Sequence, residues 1–290
     1  MTLEERVSQW LETYRGVVNA WECDVVEHFT IAYYFDRFAD ATRNFLDLTG
    51  DGETLGAAVN AGPSRLHVTF QNELRGGSQF HILSGVTGLD AATLRLGHQV
   101  VDSTSGKTVT WLAETLVLPA AAAPATRKKL EGLVVAWDGP KVPEHAAGKS
   151  GQGIATVRDR VKPWEIGESG ALSLPGYVHR FSAAAMQTLA AIGMTAAYMK
   201  EQRRGFSTFE LDLHLVSAAK VGDIIDVSTA VTHLGNSSVR FLHTMSCKAS
   251  GRQLASMGQS GVHLDMEARR STPLPESLRD LATKLLIPET

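Results

Sequence analysis

The chain has 290 residues, of which 43% are hydrophobic and 20% are charged, and its formal net charge is −3 at pH 7. This composition is that of an ordinary globular protein, and the mixed signs of charge form no basic stripe, so nucleic acid is not expected as a partner. The first residues lack the apolar stretch of a signal peptide, and no run approaches the roughly 20 apolar residues that cross a bilayer, so we expect a cytoplasmic protein without a membrane partner.

The first half begins with two predicted helices. Residues 2–14 have the apolar spacing of a short amphipathic helix. A longer helix is predicted from Thr30, whose hydroxyl could cap the first turn, to Thr49. Its apolar side chains recur at helical spacing and its charged ones occupy the other side, so one face should be buried and one should face solvent. The apolar side consists of Ile31, Phe35, Phe38, Ala41 and Phe45.

Strands are predicted after the long helix of each half, because runs rich in β-branched and aromatic residues alternate there with glycine-containing turns. In the first half the predicted strands are 66–70, 79–87, 93–102 and 108–118. In the second half a helix is predicted from Ser182, as its cap, to Arg204, with Gly205 ending it. The strands after it are predicted at 208–216, 223–233, 238–248 and 253–265.

The order of elements predicts two modules and a connection. Residues 1–125 form an amino-terminal module and residues 154–270 a carboxy-terminal one. Between them, residues 126–153 have the proline, glycine and basic composition of a linker. Residues 271–290 form a tail with a short helix behind a proline turn.

The second module repeats the first at a spacing of roughly 145 residues. A Val-Thr-x-Leu segment followed by arginine, histidine and Ser-Gly occurs in both halves, as does a Val-x-x-Trp-Glu segment. The first set consists of Val18, Trp21, Glu22, Val86, Leu89, Arg95 and His98, and the second of Val161, Trp164, Glu165, Val231, Leu234, Arg240 and His243. After the repeated Trp-Glu, however, the first copy continues with Asp24, whereas the second has Ile166 and Gly167. Any chemistry is therefore expected in the first half.

One stretch of the first copy resembles the strand-to-helix junction of the hot-dog acyl-CoA thioesterases of the 4-hydroxybenzoyl-CoA thioesterase type. In that family an aspartate precedes a histidine by four residues, and a tyrosine follows in the helix. The residues that carry the resemblance are Trp21, Asp24, His28, Tyr33, Tyr34 and Phe38, with a later strand around Arg240 and a proline-containing tail at 270–275.

The resemblance implies an α+β fold of the double hot-dog form, with two tandem modules that each wrap an antiparallel sheet around a long central helix. It implies an acyl-CoA thioesterase with Asp24 as nucleophile or general base and His28 beside it. The first-turn amides of the helix would hold the oxyanion. The second module would lack the catalytic aspartate.

Substrate-binding positions follow from the same resemblance. Ile31, Tyr33 and Tyr34 would contact the acyl thioester at the start of the helix, and Arg240 would guide its phosphates. The two tyrosines have a structural alternative as packing residues, and Arg240 has one as a structural position shared by the two modules. No metal or other cofactor is implied, since Cys23 and Cys247 form no metal-ligand pattern.

Two other functions remain open at this level. One is a non-catalytic acyl-thioester binding protein, because Glu27 stands where the family has glycine before the histidine. The other is an enoyl-CoA hydratase of the same fold, although that branch separates its aspartate and histidine by five residues. The acyl group, the choice between CoA and acyl carrier protein, and the assembly of such units into a homo-oligomer are left open.

Overall fold

A computed structural model describes residues 10–24, 27–50, 52, 55, 64–118, 124–145, 147–149 and 151–287. The chain divides into two compact units, residues 1–143 and residues 144–290. Among the described residues, no helix combines the length and the apolar character that a bilayer-spanning segment requires.

The first unit contains a five-stranded antiparallel sheet with the strand order β1-β3-β4-β5-β2. Helix α1 lies in the chain between the first two strands, and helix α2 follows the last of them. The elements are β1 (Leu11–Val17), α1 (Ile31–Leu48), β2 (Ser64–Phe70), β3 (Gln79–Leu89), β4 (Thr93–Asp102), β5 (Thr108–Val117) and α2 (Pro124–Glu131).

Helix α1 confirms the prediction for residues 30–49 to within one residue at each end. Phe35, Phe38 and Phe45 on its apolar side are buried, and burying each phenylalanine contributes about 2 kcal/mol to folding. Thr30 does occupy the N-cap position with an extended backbone, but its hydroxyl makes no capping hydrogen bond. Burial of one face therefore stabilises this helix more than capping does.

The prediction of a helix at residues 2–14 is wrong where it can be tested, because Leu11–Val17 forms strand β1. Residues 1–9 lie outside the described part. Strand β1 pairs with β3, whose edge would otherwise be open, and its buried Thr13 bonds to Ser84 Oγ at 2.6 Å. Strand pairing thus overrides the helical spacing of the apolar residues.

The second unit repeats the architecture, with the strand order β7-β10-β9-β8-β6 and a short strand β11 paired with β10. Its elements are β6 (Ile154–Arg160), α3 (Leu174–Ala191), α4 (Ala196–Glu201), β7 (Arg204–Leu215), β8 (Ile224–Leu234), β9 (Ser238–Cys247), β10 (Gln253–Asp265), β11 (Arg270–Ser271) and α5 (Glu276–Thr283).

The predicted helix from Ser182 to Arg204 is wrong at both ends. Helix α3 begins at Leu174 with Pro175 in its first turn, where a proline ring fits because the amide there needs no intrahelical partner. It ends before Gly193, whose φ of +92° favours glycine. Residues 196–201 then form the separate helix α4, and β7 begins at Arg204.

Most predicted strands are confirmed to within two residues at each end, and those at 93–102 and 253–265 agree at both ends. The repeated histidines of β4 and β9 are fully buried. His98 bonds to Ser84 and lies 3.5 Å from Glu114, whereas His243 bonds to Thr229 and Gln259. These contacts give both histidines the shared structural role that their recurrence indicates.

In each unit, the segment that follows the helix after the last long strand forms a backbone hydrogen bond with a strand of the same unit. After helix α2, the amide of Val135 donates to Val86 O of β3 at 2.8 Å. After helix α5, the amide of Ile287 donates to Val231 O of β8 at 2.9 Å. The segments after the last long strand of each unit thus extend the edge of that unit's own sheet.

Candidate active site

A short loop joins the 3-10 turn Ala20–Glu22 to helix α1. Its two ends pair as an antiparallel bridge between Cys23 and Phe29. Inside the bridge, the amide of Asp24 donates to His28 O at 2.9 Å, and outside it the amide of Thr30 donates to Glu22 O at 2.9 Å. These bonds hold Asp24 and His28 at opposite ends of one tight loop that leads directly into the helix.

The Asp24 carboxylate is exposed and helps to close this loop. Its Oδ1 accepts a hydrogen bond of 3.0 Å from the backbone amide of His28. Its backbone carbonyl accepts another, from the amide of Glu27, at 3.0 Å. Glu27 has a positive φ of 64° in the left-handed region. One oxygen of the Asp24 carboxylate therefore closes the turn.

A buried ion pair anchors the loop to the helix. Glu22 is 3% exposed, accepts a hydrogen bond from the Asn19 amide at 2.8 Å and pairs with Arg37 of α1. The Arg37 guanidinium also lies over the Tyr14 ring, 5.7 Å from its centroid. The position of the loop relative to the first turns of α1 is thereby fixed.

His28 contacts two charged residues that sequence reasoning missed. Its Nε2 lies 3.0 Å from Arg75 Nη2 and 3.2 Å from Glu73 Oε2. Both residues belong to the connection between β2 and β3, whose backbone bonds to the loop through the Phe29 amide and Leu74 O at 2.8 Å. The sequence shows charges in this connection, but no local pattern predicts that the connection lies against the loop.

The residues expected to contact substrate at the helix start differ in burial. Tyr34 is 4% exposed and packs on Phe29 with ring centroids 4.5 Å apart, and burial raises the pKa of its hydroxyl well above the usual range. Tyr33 is half-buried and stacks on Phe29 at 6.3 Å, and Ile31 is also half-buried. Tyr34 is thus part of the core, whereas Tyr33 and Ile31 lie at its edge.

The amino terminus of α1 supplies an electropositive surface beside the loop. The first amides of an α-helix have no intrahelical acceptor, and they carry the positive end of the helix dipole. Here the amide of Tyr33 bonds back to Thr30 O at 3.0 Å, which tightens the first turn. The amides of Ile31 and Ala32 precede it on the same turn, so this terminus can stabilise negative charge.

The second unit builds the same loop without these functional groups. The Gly167 amide donates to Ala171 O at 2.9 Å, and an antiparallel bridge joins Ile166 to Leu172. These matching bonds make Gly167 the structural equivalent of Asp24 and Ala171 the structural equivalent of His28. The nearest histidine of the second unit, His179, lies inside α3.

The equivalence extends to the strand connection and to Glu27. The Leu172 amide donates to Ala219 O at 2.9 Å, as the Phe29 amide does to Leu74 O. Ala218 is therefore the structural equivalent of Glu73, and Lys220 is the equivalent of Arg75.

Gly170 is the structural equivalent of Glu27 and has a similar φ of 72°.

Arg240 lies on β9 of the second unit. Its Nη1 donates to Ser260 Oγ at 2.9 Å and lies 3.4 Å from Glu210 Oε2. These contacts give it a structural role within that sheet. Its part in holding substrate phosphates stays a prediction.

A family model described as the thioesterase-like superfamily matches residues 18–131 and 161–281. The two matched segments fall one in each unit. A search of curated proteins gives no match.

Three solved structures resemble nearly the whole chain in fold. An acyl-ACP thioesterase from Bacteroides thetaiotaomicron has a TM-score of 0.67 at 13% identity, over 91% of this chain and 100% of that one. A protein described as an oleoyl thioesterase from Lactobacillus plantarum has a TM-score of 0.68 at 12% identity, over 95% and 100%. The 12:0-ACP thioesterase from Umbellularia californica has a TM-score of 0.60 at 10% identity, over 86% and 93%. At these identities the likeness establishes a tandem two-segment hot-dog fold.

Proposed function

Because this chain belongs to the thioesterase-like superfamily, we propose that its first unit hydrolyses an acyl-CoA thioester with Asp24 as the nucleophile or general base. Helix α1 is, in this proposal, the central helix that the sheet of the unit wraps, and its amino-terminal amides face the reacting carbonyl. The second unit contributes fold rather than chemistry.

The chemistry requires an attack on the thioester carbonyl. Asp24 either attacks the carbon itself, to form an acyl-carboxyl intermediate that water then hydrolyses, or removes a proton from the attacking water. The carbonyl oxygen becomes an oxyanion, which the first amides of α1 stabilise through hydrogen bonds and the helix dipole. Collapse of the tetrahedral intermediate breaks the carbon–sulfur bond, and the thiolate leaves and takes up a proton.

One observation carries this proposal, the comparison of the two loops within one chain. Both loops keep the same bridge, the same internal hydrogen bonds and the preceding buried or half-buried glutamate, Glu22 or Glu165, paired with an arginine. Only the first loop carries Asp24 and His28, where the second carries Gly167 and Ala171. Since the loop folds without these side chains, closing it does not require them, and chemistry is the better reason for their presence.

The carrier of the acyl group is proposed as CoA, with acyl carrier protein as the competing carrier. Two of the proteins of similar fold, from Bacteroides thetaiotaomicron and Umbellularia californica, are described as thioesterases of acyl carrier protein substrates. Their likeness to this chain concerns the fold alone. The substrate panel that tests the function therefore needs both carriers.

The test measures free-thiol release from short, branched, aromatic and long acyl groups on CoA and on acyl carrier protein, with product identification. Thiol and free acid from one class would support hydrolysis and name the substrate group. Hydration of an enoyl-CoA without thiol release would favour the hydratase. Binding detected by calorimetry without any turnover would favour the non-catalytic binding protein and refute hydrolysis for the substrates tested.

A further inference from the structure

Three polar groups meet beside the candidate loop, and we call His28, Glu73 and Arg75 the His28 cluster. Arg75 Nη2 is 3.0 Å from His28 Nε2, Glu73 Oε2 is 3.2 Å from the same nitrogen, and Arg75 Nη2 is 3.5 Å from Glu73 Oε2. One ring nitrogen therefore faces a cation and an anion at the same time. The two neighbours require different protonation states of that nitrogen.

Hydrogen-bond chemistry distinguishes the two protonation states of Nε2. A guanidinium has donors only, so a hydrogen bond from Arg75 requires a lone pair on Nε2. A carboxylate has acceptors only, so a hydrogen bond to Glu73 requires a proton on Nε2. The contact between His28 and Arg75 has hydrogen-bond geometry, whereas Glu73 approaches the ring as an ion-pair contact and bonds to Arg75. The arrangement therefore fits an unprotonated Nε2.

We propose that Arg75 is a positioning residue that sets the tautomer of the neutral His28 ring, with the proton on Nδ1 and the lone pair on Nε2, and that Glu73 keeps Arg75 against the ring. This inference rests on the proposed function and deepens it. A neutral imidazole carries one donor and one acceptor, and the bond made by one nitrogen decides the state of the other. His28 then enters the reaction as a hydrogen-bond donor through Nδ1, directed at the thioester carbonyl or at Asp24, rather than as a base at Nε2.

The backbone holds the cluster in place independently of its side chains. His28 and Arg75 form an antiparallel bridge, and the Arg75 amide donates to Ser78 Oγ at 3.0 Å. The backbone pairing of the two segments thus places the His28 ring beside the Arg75 guanidinium. In metal sites, partners that orient an imidazole through its second nitrogen cost roughly 10- to 100-fold in activity or affinity when they are removed.

The second unit supports this assignment. Where His28 is replaced by Ala171, Glu73 and Arg75 are replaced by Ala218 and Lys220. The unit without an imidazole also lacks the carboxylate and the guanidinium that contact it. The three residues of the His28 cluster therefore differ between the copies as one set.

The test is the tautomeric state of His28, read from long-range proton–nitrogen NMR correlations in protein labelled with 15N-histidine. The spectrum is recorded at alkaline pH, where an ordinary imidazole, with a pKa of about 6.5, is neutral. His28→Gln identifies the resonance by its loss. The wild-type spectrum should show a proton on Nδ1 and a lone pair on Nε2, and a proton on Nε2 would overturn the proposal without any further variant.

Two substitutions separate the roles of the neighbours. Arg75→Met should move the proton to Nε2, because Glu73 then remains as the charged partner of that nitrogen, whereas Glu73→Gln should leave it on Nδ1. The matched control is Lys220→Met, at the equivalent position of the second unit, which should leave the His28 resonances unchanged. A tautomer that stays the same in Arg75→Met would overturn the proposal.

Turnover provides the functional readout. The kcat of Arg75→Met should fall about 10- to 100-fold with little change in KM, as expected when a group that acts in the transition state loses its orientation. An unchanged kcat would overturn the positioning role. If the wild type hydrolyses no thioester, the proposed function fails, and the wild-type NMR spectrum still decides the tautomer.

Discussion

Asp24 in the first unit and Gly167 in the second occupy equivalent positions of two equivalent loops. Each donates its backbone amide to the carbonyl four residues later, at 2.9 Å in both cases, and each stands before the amino terminus of an 18-residue helix. The chain thus contains its own reference for the candidate site.

Glu27→Gly should stabilise the protein by up to about 1 kcal/mol, because a non-glycine residue in the left-handed region costs roughly that amount. Glu27 has a φ of 64°, and its counterpart Gly170 has a φ of 72°. Glu27→Ala keeps the strained backbone and serves as the control. In urea denaturation the midpoint should rise for glycine and not for alanine, and equal shifts would show that the side chain rather than the backbone sets the stability.

Glu114→Gln should cost less than about 1 kcal/mol, whereas Glu114→Leu should cost about 3 kcal/mol. The Thr42 hydroxyl donates to Glu114 at 2.6 Å, and a glutamine oxygen can accept the same bond. Leucine would leave Thr42 and His98 without this acceptor inside the core. The second unit already uses Gln259 beside His243. Similar unfolding free energies for both variants would contradict this account of the network.

The stability of the second unit should fall as the pH drops below about 6.5 because His243 is buried in neutral form. Burial lowers the pKa of His243 to about 4, while an unfolded histidine has a pKa of about 6.5. Between these values the unfolded chain binds the extra proton, so acid favours unfolding, by about 3 kcal/mol once the pH is below 4.

The check compares unfolding free energies at several pH values for the wild type and for His243→Asn. The variant should lose stability at neutral pH through its altered core hydrogen bonds, yet it should show a shallower decline between pH 6.5 and pH 4. Parallel curves for the two proteins would show that another group carries the acid dependence in this range.

Arg37→Met should destabilise the first unit by about 3 kcal/mol, because removing one partner of a buried pair leaves the other charge uncompensated. Glu22 is 3% exposed and pairs with Arg37 at the base of the candidate loop. The control is Arg43→Met, which breaks an exposed pair with Asp47 on the same helix and should cost less than about 0.5 kcal/mol. Calorimetric unfolding of both variants measures the difference, and equal losses would contradict it.

The sequence predicted helix α1 to within one residue and most of the strands because their patterns were long and strongly periodic. It failed at Leu11–Val17, where pairing with β3 decides the structure, and at Pro175, where a proline in the first helical turn looks like a residue outside the helix. Local patterns cannot report which distant strand will need a partner.

The candidate site was predictable in part. Asp24 and His28 are close in sequence, so a motif could find them. Glu73 and Arg75 were missed because they contact His28 through the pairing of two separate segments. Only the internal repeat offered a signal, since alanine and lysine replace them in the copy that also lacks the histidine.

The central claim is that Asp24 performs the chemistry, and thiol release by Asp24→Asn tests it most directly. Asparagine keeps an oxygen that can accept the bond from the His28 amide, so the loop can still close. The matched control is Asp47→Asn on the exposed side of α1. On a substrate that the wild type hydrolyses, kcat should fall at least about 100-fold in Asp24→Asn and stay at the wild-type value in Asp47→Asn. A wild-type kcat in a folded Asp24→Asn protein would contradict the account.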